Sequence, residues 1–117
     1  MGKRKYIAIS VKHTKDKWKF GDPCVLWGWK QTKDDEPRCF SGYTEYLSKA
    51  ERYDIDDFKV HGYSSDVIKP EPVQMSVDLC KRWKVFDTVL VEYELYEAYC
   101  KLSGLTTEVG GEPYESI

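Results

Sequence analysis

The sequence predicts a single α+β domain in which a small antiparallel β-meander packs against two or three helices. Strand patterns fill the first third of the chain and helix patterns dominate the rest, an order that favours α+β over an alternating α/β layout. The 117 residues suffice for one domain with its own core, and a hydrophobic fraction of 41% is typical of a globular protein. We predict that the domain spans residues 1–105 and that residues 106–117 form a loose acidic tail.

Three segments predict the strands of the meander. Residues 6–11 are rich in β-branched side chains, residues 24–29 follow a turn signal, and residues 38–43 follow a polar loop. Strands joined by a polar loop that contains Pro favour antiparallel pairing. Trp27 and Trp29 are two residues apart, so they share one face of the predicted sheet, where we expect them in the core.

The middle of the chain predicts shorter elements. We expect a short helix over residues 44–52, followed by a helical turn that Asp54 caps and Gly62 ends. Residues 66–69 predict one more strand, which Pro70 and Pro72 would end because proline cannot donate a ladder hydrogen bond.

Two helices and a core strand complete the prediction. Ser76 is the predicted cap of a helix with these apolar residues on one face: Leu79, Cys80, Trp83 and Phe86. Residues 88–91 predict a short core strand.

The last predicted helix begins at Glu92 or Glu94 and ends at Gly104, a favourable C′ residue. Its predicted inward positions are Leu95, Tyr99 and Leu102. We expect the helices to cover one face of the meander.

Composition excludes several classes of protein. A net charge of −2 with this hydrophobic content is not that of a disordered chain. No apolar run approaches the ~20 residues that a membrane span needs, and no signal-peptide pattern is present, so we expect a cytoplasmic protein. The cysteines are widely spaced without a Cys-x-x-Cys pair, and we predict buried thiols, no metal site and no cofactor: Cys24, Cys39, Cys80 and Cys100.

The charge is unevenly distributed along the chain. Residues 1–33 hold nine Lys or Arg against two Asp, whereas residues 34–117 hold nine Lys or Arg against eighteen Asp or Glu. Such a split predicts a polarised surface, unless the fold brings the two regions together.

Enzyme signatures are absent from the sequence. The phosphate-binding, zinc-protease and nucleophile-elbow motifs are all missing. The two histidines, His13 and His61, have no local catalytic signature around them. An enzyme is therefore the third choice among the functional classes.

Four segments carry a resemblance to known proteins: KYIAIS at 5–10, LWG at 26–28, FSGYT at 40–44 and DTVLV at 87–91. Together they resemble small uncharacterised proteins of gut Firmicutes-type bacteria and their prophages. None of these segments is a functional motif. The resemblance implies an intracellular, mobile-element setting, in which small inhibitors and adaptors are common.

The first functional hypothesis is a non-enzymatic protein-interaction module, with a narrower role as a phage or mobile-element inhibitor or modulator of a host nucleic-acid enzyme. High aromatic content in a small domain predicts that some rings lie at the surface. The predicted anchors are Trp18, Trp29 and Tyr43, with Trp18 exposed between lysines, because Trp and Tyr dominate interface energetics. The predicted acidic rim consists of Asp34, Asp35 and Glu36.

The alternative is a single-stranded nucleic-acid-binding protein that uses the basic N-terminal segment. Lysines interleaved with aromatic rings suit such a groove, because the charges follow the backbone while the rings stack on bases. The residues concerned are Lys12, Lys15, Lys17, Trp18, Lys19 and Lys30. A sequence pI of 5.7 opposes this alternative, since dedicated nucleic-acid binders are usually basic.

Overall fold

Five short strands supply the framework of the computed structural model, which describes residues 5–14, 16–30, 38–63, 68–72, 74–75 and 86–107. The strands are β1 (Tyr6–Ser10), β2 (Leu26–Trp27), β3 (Tyr43–Thr44), β4 (Ile68–Pro72) and β5 (Thr88–Glu92). They form one sheet in the order β3-β2-β1-β5-β4. Among the described residues the helices are α1 (Val11–Thr14), α2 (Ile55–His61) and α3 (Tyr93–Ser103), and Leu47–Lys49 forms a 3-10 turn. The predicted α+β class is confirmed.

The predicted meander is also present. β1, β2 and β3 are consecutive strands, and β2 pairs antiparallel with both of its neighbours. On its other side β1 pairs antiparallel with β5 over five residues, from Tyr6↔Glu92 to Ser10↔Thr88. The second and third strands are shorter than the sequence predicts. Gly28 has φ +86° and donates to the Gly42 carbonyl at 2.8 Å, so the chain leaves the regular ladder immediately after β2.

The sheet is mixed rather than purely antiparallel, because β4 pairs parallel to β5. The prediction that Pro70 ends this strand is wrong, since it lies within β4, whereas Pro72 is the last residue of the strand. β4 lies at the edge among the described strands, and an edge strand tolerates proline because no described strand needs its missing N–H on that side. A register shift between Lys69 and Pro72 accompanies them.

Both faces of the central strands are buried, which corrects the expectation that helices cover one face. Neighbouring side chains on a strand project to opposite faces. One apolar cluster holds Ile9 and Val89 with Tyr96 of α3, whereas the other holds Leu90 with Phe58 of α2. Because layers lie on both sides, residues 7–9 and 89–91 are fully buried without alternation.

The caps of α2 follow the sequence prediction. Asp54 precedes the helix, and its carboxylate accepts from Ile55 N at 2.8 Å, while Asp54 N donates to Asp57 Oδ2 at 2.6 Å. This reciprocal capping box satisfies amide groups at the start of the helix. Gly62 ends the helix in the left-handed conformation, at φ +97°. Local chemistry therefore determines both ends of α2.

α3 matches its prediction except at one position. Tyr96, Tyr99 and Cys100 are buried and define its inward face, and Gly104 ends the helix at φ +72°. Leu102 is 89% exposed, so its predicted inward orientation is wrong. At 100° per residue it projects well away from the face that the three buried residues define.

The remaining predictions are confirmed only in part or lie outside the described residues. The predicted helix over residues 44–52 is reduced to the 3-10 turn Leu47–Lys49. The helix predicted from Ser76 lies outside the described residues except for Phe86, which packs against the first apolar cluster. Most of the predicted tail also lies outside them, and the boundary at residue 105 stays a prediction. Within the described part of the chain, no helix is long and apolar enough to cross a membrane.

Candidate interaction surface

Trp18 is a core residue, so its predicted exposure is wrong. Its side chain is 9% exposed, and its Nε1 donates to the Asp22 carbonyl at 2.9 Å. A turn in which Asp22 N donates to the Lys19 carbonyl at 2.8 Å folds the chain back and carries the indole into the first apolar cluster. Phe20 is the exposed aromatic of this loop, with 53% of its side chain accessible.

The other two predicted anchors differ in their surroundings. Trp29 is half-buried, and its indole occupies the space above Gly42 where a Cβ would otherwise lie. Tyr43 is 39% exposed and packs its ring on His13, with the centroids 4.3 Å apart. Of the three predicted anchors, Tyr43 is the most accessible. The predicted acidic rim, Asp34, Asp35 and Glu36, lies outside the described residues.

Tyr43 belongs to a larger group of rings, which we call the aromatic surface: His13, Trp27, Phe40, Tyr43, His61 and Tyr63. Tyr43 and Trp27 are cross-strand partners and therefore project to the same face of the sheet. Tyr63 contacts Trp27 at 5.2 Å and His61 at 5.0 Å between ring centroids. His61 in turn stacks on Phe40 at 3.9 Å and 18°.

A cross-strand pair places the two parts of the aromatic surface side by side. Tyr43 packs on His13 and lies opposite Trp27 in the sheet, and Trp27 contacts Tyr63, which in turn contacts His61. Burial raises the pKa of the Tyr63 hydroxyl, and the nearby Tyr43 hydroxyl raises it further. Both histidines and Tyr43 are exposed, while Trp27, Phe40 and Tyr63 are half-buried.

Buried polar contacts hold the segment that carries Phe40. Glu51 is 1% exposed, and its carboxylate accepts from Cys39 N at 3.1 Å and from Arg38 Nη1 at 3.2 Å. The Tyr53 hydroxyl lies 2.5 Å from the Cys39 carbonyl and 3.2 Å from the Trp27 carbonyl, so it can donate to either. These contacts tie residues 38–40 to the sheet, and the aromatic surface rests on a fixed base.

No family model, no curated protein and no solved structure matches this chain. Among the described residues, no group of three or more His, Cys, Asp or Glu is arranged to hold a metal ion.

A small cleft, which we call the Lys17 cleft, adjoins the aromatic surface at His13. Its volume is about 230 Å³, and its lining consists of His13, Thr14, Lys17, Trp18, Asp22, Pro23, Val25 and Glu45. Ser10 Oγ lies 2.8 Å from His13 Nδ1, and this contact fixes the ring at the boundary between the cleft and Tyr43. Ser10 is 5% exposed and directly precedes α1, so the contact links the end of β1 to the side chain of His13 on that helix.

The lysines of the nucleic-acid hypothesis are distributed over the surface. Lys12, Lys17, Lys19 and Lys30 are all exposed, and Lys15 lies outside the described residues. Lys17 shares its cleft with Asp22 and Glu45, so the fold mixes charges where the sequence separates them. Trp18 cannot stack on a base from its position in the core.

Sequence reasoning missed five members of the aromatic surface as binding candidates: His13, Trp27, Phe40, His61 and Tyr63. They come from four segments that are far apart in the chain, and no local spacing relates those segments. The available signal was the surplus of aromatic residues, which predicts exposed rings without saying which ones.

Proposed function

We propose that this protein is a protein-interaction module that binds its partner through the aromatic surface. The observation that carries the proposal is that six rings from four segments of the chain lie together on one partly exposed surface. Tyrosine and tryptophan are enriched at interface hot spots, because they offer a large apolar area at low cost in conformational entropy. A rigid base beneath this surface supports this role, since preorganised surfaces lose less entropy on binding.

A protein partner is favoured over nucleic acid by the charges beside the rings. Glu45 lies close to Tyr43 in the chain and lines the same cleft as Lys17. A nucleic-acid groove needs cations in excess along its path. Direct binding of single-stranded nucleic acid stays a second candidate, supported by the exposed Lys12, Lys19 and Lys30 and by the exposed ring of Phe20.

The test is a comparison of variants in capture from host lysate with a tagged protein. Tyr43→Ala and His61→Ala remove exposed rings from the aromatic surface, and Phe20→Ala removes an exposed ring outside it. We expect the first two variants to weaken binding of the captured protein by about tenfold or more, as truncation of an interface hot spot does. Phe20→Ala should bind as the wild type does.

Nuclease treatment and salt separate the two candidates. A captured protein that survives nuclease and depends on Tyr43 supports the proposal. Loss of capture with nuclease, together with affinity for single-stranded oligonucleotides that falls steeply with salt, would favour the second candidate, because bound phosphates release counterions. Equal binding by all three variants would rule out the aromatic surface.

The proposal extends to the compartment and to a narrower role as an inhibitor or modulator. We propose the cytoplasm as the compartment, since Cys24, Cys39 and Cys100 are free thiols and a reducing compartment maintains that state. Inhibition or modulation of a host nucleic-acid enzyme is the finer form of the proposal. Identification of the captured protein tests it directly.

A further inference from the structure

The Lys17 cleft has one wall whose polar groups are already satisfied. Trp18 Nε1 donates to the Asp22 carbonyl, and Asp22 Oδ2 accepts from Lys19 N at 2.9 Å. Thr14 Oγ1 donates to the Ser10 carbonyl at 2.7 Å and accepts from Val25 N at 2.9 Å. These bonds fix the wall in place, and the half-buried Pro23 and Val25 line the cleft beside the largely buried Trp18.

Two opposite charges line the same cleft without satisfying each other. The Lys17 and Glu45 side chains are both exposed, and neither forms an ion pair with any of the residues that the structure describes. Lys17 precedes β2 in the chain and Glu45 follows β3, so it is the fold that brings the two side chains to the same cleft. A ligand with one positive and one negative group would complement both.

We propose that the Lys17 cleft binds a zwitterionic α-amino acid with an apolar side chain. The Lys17 ammonium binds the ligand carboxylate, and the Glu45 carboxylate binds the ligand ammonium through charge-assisted hydrogen bonds. The ligand side chain packs on Pro23 and Val25, next to Trp18. An anion without a positive group would be repelled by Glu45 and Asp22, and a cation without a negative group would be repelled by Lys17. A zwitterion can place each of its charges next to a side chain of opposite charge.

The size of the cleft agrees with this ligand class. A volume of about 230 Å³ is below the roughly 300–1,000 Å³ of pockets for drug-sized ligands. We therefore expect the ligand to be a small metabolite rather than a drug-sized molecule. This inference does not depend on the partner proposed for the aromatic surface, although His13 borders both.

The test is a titration of the full chain with L-phenylalanine, followed by ¹H–¹⁵N NMR. The indole N–H of Trp18 is a direct reporter, because its hydrogen bond to the Asp22 carbonyl lies in the wall of the cleft. We expect saturable shifts at this indole and at the Lys17 and Glu45 amides. N-acetyl-L-phenylalanine lacks the ammonium group and L-phenylalaninamide lacks the carboxylate, so each should bind about tenfold more weakly.

Charge-matched variants test each contact separately. Lys17→Gln should weaken L-phenylalanine binding about tenfold and leave L-phenylalaninamide binding unchanged, because that analogue has no carboxylate to lose. Glu45→Gln should show the reverse selectivity, with N-acetyl-L-phenylalanine as the insensitive ligand. Lys12→Gln, which removes an exposed charge outside the cleft, is the control and should bind as the wild type does.

Three results would overturn the proposal: no saturable shift at the Trp18 indole, equal binding of the parent and both analogues, or wild-type affinity in both cleft variants. Each is distinguishable from failure of the proposed function, which is measured with Tyr43→Ala and a captured protein. Both cleft variants change exposed side chains, so their spectra should retain the dispersion of the folded wild type.

Discussion

Gly28 lies where three segments of the chain meet beneath the aromatic surface. Its N–H donates to the Gly42 carbonyl at 2.8 Å, and its carbonyl accepts from Glu51 N at 3.0 Å. A Cβ at this position would overlap the Tyr53 hydroxyl and lie 2.6 Å from the Cys39 carbonyl. With φ at +86°, the position combines an unfavourable backbone conformation for other residues with a lack of space.

We therefore expect Gly28→Ala to lower the free energy of unfolding by about 2–4 kcal/mol, from left-handed strain together with overpacking. Gly62→Ala is the matched control, because Gly62 has φ +97° but no atom within 4 Å of the added Cβ. That control should lose only about 1 kcal/mol, from the strain alone. Urea denaturation followed by tryptophan fluorescence measures both, and equal losses would contradict the packing argument.

At the scale of the element, α3 holds the loop that carries Trp18. The Tyr99 hydroxyl accepts from Gly21 N at 2.8 Å and donates to the Asp22 carbonyl at 2.6 Å. The Tyr96 hydroxyl accepts from Cys24 N at 3.0 Å. These two tyrosines are one helical turn apart, and both bind a segment far earlier in the chain. Tyr99 is 78 residues from Gly21, and Tyr96 is 72 residues from Cys24. The wall of the Lys17 cleft depends on this attachment.

These tyrosines predict a loss of stability in alkali. Burial raises the pKa of Tyr99 from 10.0 to about 12, and burial also raises the pKa values of Tyr96 and Tyr53. Because the neutral form is favoured in the folded state, the stability contributed by Tyr99 is fully present below pH 10. It is lost as the pH rises from 10 to about 12.

The measurement is the free energy of unfolding as a function of pH, with tyrosinate absorbance recorded in parallel. Tyr99→Phe should reduce the alkaline slope without abolishing it, since Tyr96 and Tyr53 still contribute. At neutral pH this variant should lose about 1–3 kcal/mol, because the Gly21 amide loses its acceptor and the Asp22 carbonyl keeps only the hydrogen bond from Trp18 Nε1. A slope unchanged by Tyr99→Phe would contradict the assignment.

On the scale of the whole molecule, the two central strands are enclosed from both sides. α3 and the loop around Trp18 contribute to the cluster that contains Ile9, whereas α2 and Tyr53 contribute to the cluster that contains Leu90. Both Ile9 and Leu90 are fully buried. The aromatic surface continues the second cluster outward, as Trp27, Phe40 and Tyr63 pack against it.

Because both faces of the sheet are buried, we expect truncation of a core side chain on either face to lower the free energy of unfolding. Ile9→Ala and Leu90→Ala should each lower the free energy of unfolding by about 2–5 kcal/mol, from lost transfer free energy and the cavity that remains. Val60→Ala, at a position 88% exposed on α2, should change it by less than about 0.5 kcal/mol. Calorimetric or urea unfolding measures all three variants. If either core variant unfolds with the free energy of the wild type, the conclusion that both faces of the sheet are buried is contradicted.

Elements governed by neighbours in the chain were predictable. The apolar runs of β1 and β5, the capping residue Asp54 and the terminating glycines Gly62 and Gly104 act within a few residues, so their signals are present in the local sequence. Tyr43 was predictable as an exposed aromatic only because the chain has more rings than its core can hold.

The orientation of loops and the composition of the surface were decided by the tertiary structure. Trp18 is flanked by lysines in sequence but is buried, because Tyr96 and Tyr99 bind its loop from the other end of the chain. The Lys17 cleft and the aromatic surface likewise join residues that no spacing relates. The sequence by itself determined the fold class, the central strands and the helix ends, since backbone propensity and capping act locally. Only the tertiary structure decided which aromatics and charges share a surface, because those contacts arise when distant segments bury their apolar area together.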